Sequence, residues 1–547
     1  MAAAWNPPLP RLPQALARHQ EALPLTPHKR IHPPAVQTQV ISLASMCCKF
    51  WLERVQYVLR RDLPKAQVFA LHRFLTQLPR ELRACMIHNA LRSGGLHLSH
   101  GSREMPSVNR ALVLLTSELP VREPVYITLP KTAPEGVDWP PDLELLIRSG
   151  EGVQKLVLFL PVSIGDPVKK LLTDICRTCR RLQHITLHQA TDDVITLVAR
   201  HCPFLVSLDV SGSEMVTDEG LARVVVNVKW GTNEPRLNYI DLDKTSVTDD
   251  GILNVLSRLP EINSFGIRDI LDPLQMFDEL SEGAKTNLIE INVKCVTVSR
   301  IQTLKKLCPK LEKIRATFQE HPGPGATLND LRLLPNLTQL SITVKEPFLL
   351  SQANLNDLAW NIGARLTVLR LAGDVYWEAD LGLLAGHCPL LEELALPAAT
   401  VPTKQSLAAL QAPGTITLKN LQVLEVDCMT GVGPKAWAKD FNLSRQGLVA
   451  ALILSSSLRR LLLRPTALVD DDLREILAHN RMPALEVVEL YNCVLGIEAA
   501  QLLVDTCTNL HVLKGVRTWR GIALLDLVTL RKHARGHRRV SELKILP

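Results

Sequence analysis

The chain has 547 residues, 46% hydrophobic and only 4% aromatic, with a formal charge of +7 at neutral pH. That surplus is small for the length and argues against nucleic acid as a partner. No apolar run reaches the ~18 residues of a membrane span, and Met1-Ala2-Ala3-Ala4-Trp5 lacks the basic-then-apolar order of a secretory leader. The 12 cysteines are therefore expected as reduced thiols, in cytoplasm or nucleus.

Residues 1–38 are rich in Pro, His and Gln, with Pro7-Pro8, Pro24, Pro27 and Pro33-Pro34. Such a segment buries too little apolar surface to offset its ordering entropy, and it reads as disordered. Residues 39–92 change character. A helical pattern opens at Ser42-Leu43-Ala44-Ser45-Met46-Cys47 and continues through Phe50, Trp51, Leu52, Val55 and Val58. A second runs from Ala66 to Leu75, carrying Val68, Phe69, Leu71 and Phe74. A third starts at Leu78-Pro79-Arg80-Glu81-Leu82, with proline where a first helical turn tolerates it. These helices are expected to form a small module of their own. Residues 93–150 are broken by Gly94-Gly95, Pro106, Pro120, Pro130, Pro134 and Pro140-Pro141. They read as an irregular linker that caps the larger C-terminal part of the chain, with Ala111–Leu115 as one degenerate repeat.

From 151 to the C-terminus one phrase recurs. His201-Cys202-Pro203-Phe204-Leu205-Val206-Ser207-Leu208-Asp209-Val210 has close copies at Cys308-Pro309-Lys310-Leu311 and His387-Cys388-Pro389-Leu390-Leu391, and one without proline at Cys507-Thr508-Asn509-Leu510. Looser copies begin at Leu182, Leu237, Ile262, Leu288, Leu337, Leu366, Leu421, Leu458 and Leu485, and Val153–Leu158 opens the series. Starts lie roughly 23 to 37 residues apart, against about 20 to 29 in leucine-rich repeats. In apolar-x-x-apolar-x-apolar the last positions alternate, so one side of a short strand enters a core. The chain is an α/β leucine-rich-repeat solenoid by this reading: a curved parallel sheet with helices on its convex side. Strands are expected at Leu205–Val210, Ile240–Leu242 and Leu394–Leu396. Thr217-Asp218-Glu219-Gly220 and Thr248-Asp249-Asp250-Gly251 read as helix starts with a hydroxyl cap. Pro322–Gly325 and Ala412–Gly414 read as loop insertions.

Cys176-x-x-Cys179 followed by His201-Cys202 has the look of a zinc site. Register argues otherwise: Cys179, Cys202, Cys308, Cys388 and Cys507 each stand three residues before a repeat leucine, which marks a small apolar packing position. His184 and His188 flank a strand and are expected to point outward with Thr186. No nucleophile elbow, zinc-protease or phosphate-loop pattern occurs, so neither catalysis nor a metal or cofactor is expected. The basic run Arg531–Arg539 reads as a solvated end face, a nuclear-import signal or a contact for an acidic partner. Outward strand positions form ladders: Ser207 and Asp209; Tyr239, Asp241 and Asp243; Glu290 and Asn292; Lys313 and Arg315; Arg370 and Glu393; Arg460 and Arg464; Glu489 and Tyr491. Their sign changes in blocks, acidic from Asp209 to Asp243 and basic from Lys313 to Arg370. Solenoids bind proteins on such faces, so Asp209, Tyr239, Asp241, Asp243, Lys313, Arg315 and Arg370 are the candidate substrate contacts.

The N-terminal helices resemble a von Hippel–Lindau box, the adaptor-binding element of cullin 2 ubiquitin ligases. Its first half is a small residue, Leu, three free positions and Cys, which Ser42-Leu43-Ala44-Ser45-Met46-Cys47 matches; Trp51, beside Leu52, stands where a small aliphatic is usual. Leu43, Cys47 and Trp51 fall four apart on one helical face. The second half, apolar-Pro-x-x-apolar-x-x-x-apolar, is matched by Leu78, Pro79, Leu82 and Met86. The resemblance spans roughly 50 residues and, ahead of leucine-rich repeats, is similar to the arrangement of PRAME-like and ZYG-eleven-like receptors. It implies elongin B/C bound by Leu43, Cys47, Trp51 and Leu52, cullin 2 bound by the second half, and a protein substrate on the repeats. Two other readings stand beside it: an F-box opening at Leu78-Pro79-Arg80-Glu81-Leu82, serving cullin 1, and a plain helical cap of a scaffold protein.

Overall fold

The computed structural model describes residues 65–84, 86, 121–129, 139, 141–161, 164–231, 237–267, 269–280, 283–294, 298–318, 328–350, 352–377, 384, 386–397, 418–427, 441–464, 468–536 and 543–545. The expected disordered segment, the Leu43–Leu52 half of the box, the Ala111–Leu115 repeat and both loop insertions lie outside them.

Among the described residues sixteen strands form one sheet in strict sequence order, every neighbouring pair parallel. They are β1 Val121–Thr128, β2 Val153–Phe159, β3 His184–His188, β4 Ser207–Asp209, β5 Tyr239–Asp241, β6 Ser264–Gly266, β7 Glu290–Val293 and β8 Lys313–Phe318, then β9 Gln339–Leu350, β10 Val368–Trp377, β11 Glu393–Pro397, β12 Val423–Asp427, β13 Arg460–Arg464, β14 Val487–Leu490, β15 Val512–Lys514 and β16 Lys544–Ile545. The described helices are α1 Lys65–Thr76, α2 Pro141–Ser149, α3 Asp166–Thr178, α4 Asp192–His201, α5 Asp218–Gly231, α6 Asp249–Arg258, α7 Leu271–Leu280, α8 Val298–Leu307, α9 Gln352–Ile362, α10 Phe441–Leu454, α11 Asp470–His479, α12 Ile497–Thr506 and α13 Leu524–Gly536. Where the returns are described they are helical, α or 3-10, and the chain is a leucine-rich-repeat solenoid.

The repeat leucines do what the spacing predicts. Leu182, Leu237, Ile262, Leu288, Leu337, Leu366, Leu421, Leu458 and Leu485 are all buried, and each enters the strand just after it. The middle strand residues Leu208, Ile240, Phe265, Ile291, Ile314 and Leu340 stack in register, forming one apolar column along the sheet. Repeats beginning at Leu182 and beyond account for β3–β15, and Val153–Leu158 for β2. The sheet begins before the Val153 phrase and continues to Ile545. β1 pairs with β2 from a stretch expected to be irregular, with a register shift at Val121/Pro124, and β16 adds a short strand after the basic run. The strand expected at 205–210 is shorter, Ser207–Asp209, because only the alternating part of the phrase pairs, and the one expected at 240–242 begins one residue earlier at the same length.

The cysteine position is a packing position. Cys179, Cys202, Cys308, Cys388 and Cys507 are buried free thiols. The sulfurs of Cys179 and Cys388 lie 2.9 Å from where a Cβ would stand on Gly150 and Gly363 of the preceding turn, so a small neighbour is required there. Burial pushes three of these thiols up, Cys308 to about 11 and Cys388 and Cys507 to about 12. Among the described residues no group of three or more His, Cys, Asp or Glu is placed to hold a metal.

Thr248, expected to cap α6, has an extended, cap-like backbone, yet its hydroxyl does not cap the helix. The Thr248 hydroxyl instead donates to Asp218 Oδ2 of the preceding repeat at 2.6 Å, and the Thr248 N–H donates to Asp218 Oδ1 at 2.8 Å. One repeat earlier Thr217 does the same with Asp192, at 2.6 and 2.8 Å. Each aspartate thus clasps the next repeat from the first turn of its own helix, where the free N–H groups favour a negative charge. The glycine three residues after each threonine leaves the space: a Cβ on Gly220 or Gly251 would stand 2.1 Å from Oδ1 of Asp192 or Asp218.

Candidate partner-binding surfaces

The described half of the box is α1 and the helical turns at 80–84. α1 covers the span expected from Ala66 to Leu75. Its apolar face does not stand apart: Val68, Leu75 and Met86 belong to the same continuous core as Leu143 and Leu146 of α2. The Phe69 ring lies 4.5 Å beneath the Arg148 guanidinium, a cation–π contact that ties the two helices together. Pro79 is exposed and Leu78 and Leu82 are half-buried, so a partner can reach this edge. Met86, assigned to the cullin contact by the resemblance, is 1% exposed. Its side chain is part of the continuous core instead.

On the concave side the outward residues fall into register across strands. Thr186, Asp209, Asp241 and Gly266 are consecutive rungs, as are His184, Ser207, Tyr239, Ser264, Glu290 and Lys313. Asp209, Tyr239, Asp241 and Asp243 are therefore brought together, all half-buried. Asp209 accepts from the Ser211 N–H at 3.0 Å and the Thr186 hydroxyl at 3.3 Å. Asp241 accepts from the Asp243 N–H at 3.0 Å and the Tyr239 hydroxyl at 2.9 Å. Burial holds the Asp241 carboxyl above its ordinary range, against the pull of those two hydrogen bonds, and burial together with the Asp241 charge pushes the Tyr239 phenol up. A Cβ on Gly266 would stand 2.2 Å from the Asp241 carboxylate, so the neighbouring rung is bare by necessity.

His184 and His188 are half-buried on the outward side of β3 with Thr186. His188 stacks on the Phe159 ring at 4.6 Å, and burial with the Lys155 charge holds His184 below the usual imidazole value. These rings form an apolar margin to the acidic patch, which the sequence reading left out of the candidate contacts. The outward aromatic at the end of β2 was the available signal.

The expected basic block from Lys313 to Arg370 is not a free positive surface. Arg315 pairs with Glu290 of the preceding strand at 2.6 Å, and Arg370 pairs with Glu393 of the following one. In both cases the parallel register sets an acid diagonal to the arginine, within reach of a long side chain. Lys313 is half-buried beside Glu290. The region is a laced, nearly neutral surface in which both arginines remain half or more exposed.

No helix among the described residues is long and apolar enough to cross a membrane. No protein-family model matches the chain, and no curated protein is similar to it in sequence. Among solved structures it is similar to a chain of the yeast Rad7 and Elc1 complex, at 12% identity, covering 94% of this chain and 98% of that one with a TM-score of 0.38. It is similar also to internalin InlF of Listeria monocytogenes, at 14% identity, covering 74% and 88% with a TM-score of 0.31. The leucine-rich-repeat protein LegL7 of Legionella pneumophila matches at 11% identity over 50% and 88%, with a TM-score of 0.32. Superposition at this level is loose; the leucine-rich-repeat assignment stands on the strand order and register of the chain itself.

Proposed function

We propose that this protein is the substrate-recognition subunit of a cullin–RING ubiquitin ligase, bound to elongin B/C and cullin 2 through residues 39–92 and to its target through the concave face. The observation that carries the reading is the pair of box halves in order, Leu43-x-x-x-Cys47 and Leu78-Pro79-x-x-Leu82, immediately ahead of a leucine-rich-repeat solenoid. What supports it further is that the Leu78–Leu82 edge is reachable while α1 is packed on the first solenoid helix, so a docked ligase would sit at a fixed distance from the captured protein. Such a subunit catalyses nothing itself. It raises the target's effective concentration beside the ubiquitin donor.

The test is a co-precipitation series on folded variants, scored for elongin C, cullin 2, and the F-box adaptor with cullin 1. Leu43→Ala forfeits about 1.5–3 kcal/mol of apolar burial at a partner groove, roughly ten- to a hundredfold in affinity for elongin C. Cys47→Ser on the same face deepens that loss. A change at Pro79 spares elongin C and weakens cullin 2. Full retention of elongin C by Leu43→Ala, or capture of the F-box adaptor by the wild type, replaces this reading with the helical-cap or F-box one.

A further inference from the structure

The positive surplus of the chain is concentrated in its last helix and the residues around it. From Leu510 onward nine lysines and arginines stand against two acids, Asp526 and Glu542, an excess equal to the +7 of all 547 residues. α13 carries this charge beside bare apolar surface. Leu530 and Ala534 are buried on one side of the helix, while Leu525 and Val528 on the other are 80% and 64% exposed. Leu525, Val528, Thr529 and Lys532 follow at helical spacing, so they form one outward stripe, and all four are exposed. α12 packs on one flank of α13, where His533 Nε2 lies 2.7 Å from Asp505 Oδ1. The outer face of a terminal repeat is ordinarily polar, since no further repeat covers it. This stripe is not.

Of the described cations in this part of the chain, Lys514 is held by Glu489 of β14. Arg531 Nη2 donates to the Ile545 carbonyl at 3.5 Å, a neutral acceptor that leaves its charge uncompensated. Lys532, and Arg517 and Arg520 in the turns between β15 and α13, are exposed and make no ion pair among the described residues. The acids are already engaged: Asp526 Oδ2 accepts the Ala523 N–H at 2.8 Å where α13 begins, and Asp505 meets His533. Protruding leucine and valine beside unpaired cations are what an interfacial helix presents to anionic lipid. The apolar side chains enter the boundary between headgroups and acyl chains, and the cations meet the headgroup charge.

We propose that the outward stripe of α13 binds an anionic lipid surface, with Leu525 and Val528 entering the bilayer interface and Lys532 and Arg531 on the headgroups. An acidic peptide fits less well, because peptides are captured in grooves or along sheet edges and these side chains stand out from their helix. A nucleic acid fits less well too, since a phosphate backbone gains nothing from exposed leucine and valine. A second copy of the chain brings the same surplus and is repelled. The proposal is independent of the ligase reading, because it uses neither the box nor the concave face.

The experiment is co-sedimentation of the purified full chain with unilamellar vesicles, either phosphatidylcholine alone or phosphatidylcholine and phosphatidylserine in a two-to-one ratio. The chain is expected to bind the phosphatidylserine vesicles, more weakly as salt rises, and not the neutral ones. The double variant Leu525→Ser with Val528→Ser is expected to weaken binding at least tenfold, and Lys532→Glu several-fold. Leu280→Ser, at a leucine of α7 that is 72% exposed, should leave it unchanged. Circular dichroism establishes that each variant is folded. Equal binding to neutral vesicles, full binding by the double variant, or an equal loss in Leu280→Ser overturns the proposal. A labelled poly-glutamate peptide and a labelled single-stranded RNA are run beside the vesicles by fluorescence anisotropy. Binding of either that falls in the double variant assigns the stripe to that partner and overturns the proposal as well. None of these outcomes bears on elongin binding, which the co-precipitation series reads separately.

Discussion

Asp192 and Asp218 carry more than helix-start chemistry, because each fixes the threonine of the next repeat by two hydrogen bonds at once. A hydrogen bond to a charged group contributes about 1.5–3 kcal/mol, so Asp192→Ala should lower stability by that order, and Asp192→Asn by less, since its oxygen still meets the Thr217 N–H. Gly220→Ala presses a methyl group onto the same carboxylate and should cost about 1–3 kcal/mol by overpacking, despite the better helix propensity of alanine. Urea unfolding of the three variants measures both effects; a stabilised Gly220→Ala would mean that the clasp opens freely. Asp241 behaves in the opposite sense. Burial raises its folded-state value above the 3.8 of the free side chain, so the folded state holds its proton more tightly than the unfolded one. Its contribution is therefore greatest below 3.8 and is lost as pH rises through the raised value. Asp241→Asn should flatten stability across that window and gain stability at neutral pH. A variant less stable at pH 7 would show that the Tyr239 and Asp243 hydrogen bonds outweigh the burial.

At the scale of one repeat, most of the architecture is legible because a single phrase carries both the strand period and the buried column. The cysteine three residues before five of the repeat leucines is read from register alone, and the structure places two of them, Cys179 and Cys388, against Gly150 and Gly363 of the turn before. With their thiols buried and held protonated, Cys179, Cys308, Cys388, Cys493 and Cys507 should resist iodoacetamide at pH 8 in the folded protein and react on unfolding. Peptide mass spectrometry before and after denaturation reads this, and native modification of Cys308 or Cys388 would refute the packing role. What the repeat pattern conceals is contact between repeats. Asn287, Asn336, Asn420 and Asn509, each just before a repeat leucine, donate to the carbonyls of Pro260, Pro309, Pro389 and Pro483 one repeat earlier, at 2.7–2.9 Å. The Asp–Thr clasp and the arginine–glutamate pairs of the concave face are equally hidden, since each joins residues 23 or more positions apart. The acidic patch survives from sequence to structure because its members share rungs. The basic block does not, because its neutralising acids sit on the adjacent strands.

At the scale of the whole chain, one apolar core runs from Val68 to Ile545 without a break. Its first layer is supplied by Val68, Leu75 and Met86, so the segment that resembles a ligase box also closes the N-terminal end of the solenoid. An end repeat stripped of such a cover exposes the apolar side of α2, where Leu143 and Leu146 are now 2% exposed or less. In a stack stabilised by nearest neighbours, that damage should stay near the end where it is made. Deleting residues 1–92 is therefore expected to cost hydrogen-exchange protection in β1 and β2, progressively less in β3 and β4, and none in β13–β15. The measurement is native-state exchange followed peptide by peptide, which resolves opening of separate parts of the fold. Unchanged protection in β1 and β2 would mean that the helices form an independent module, as their sequence pattern alone suggests. Loss extending evenly to β15 would mean that the solenoid unfolds as one unit and that the cap governs all of it.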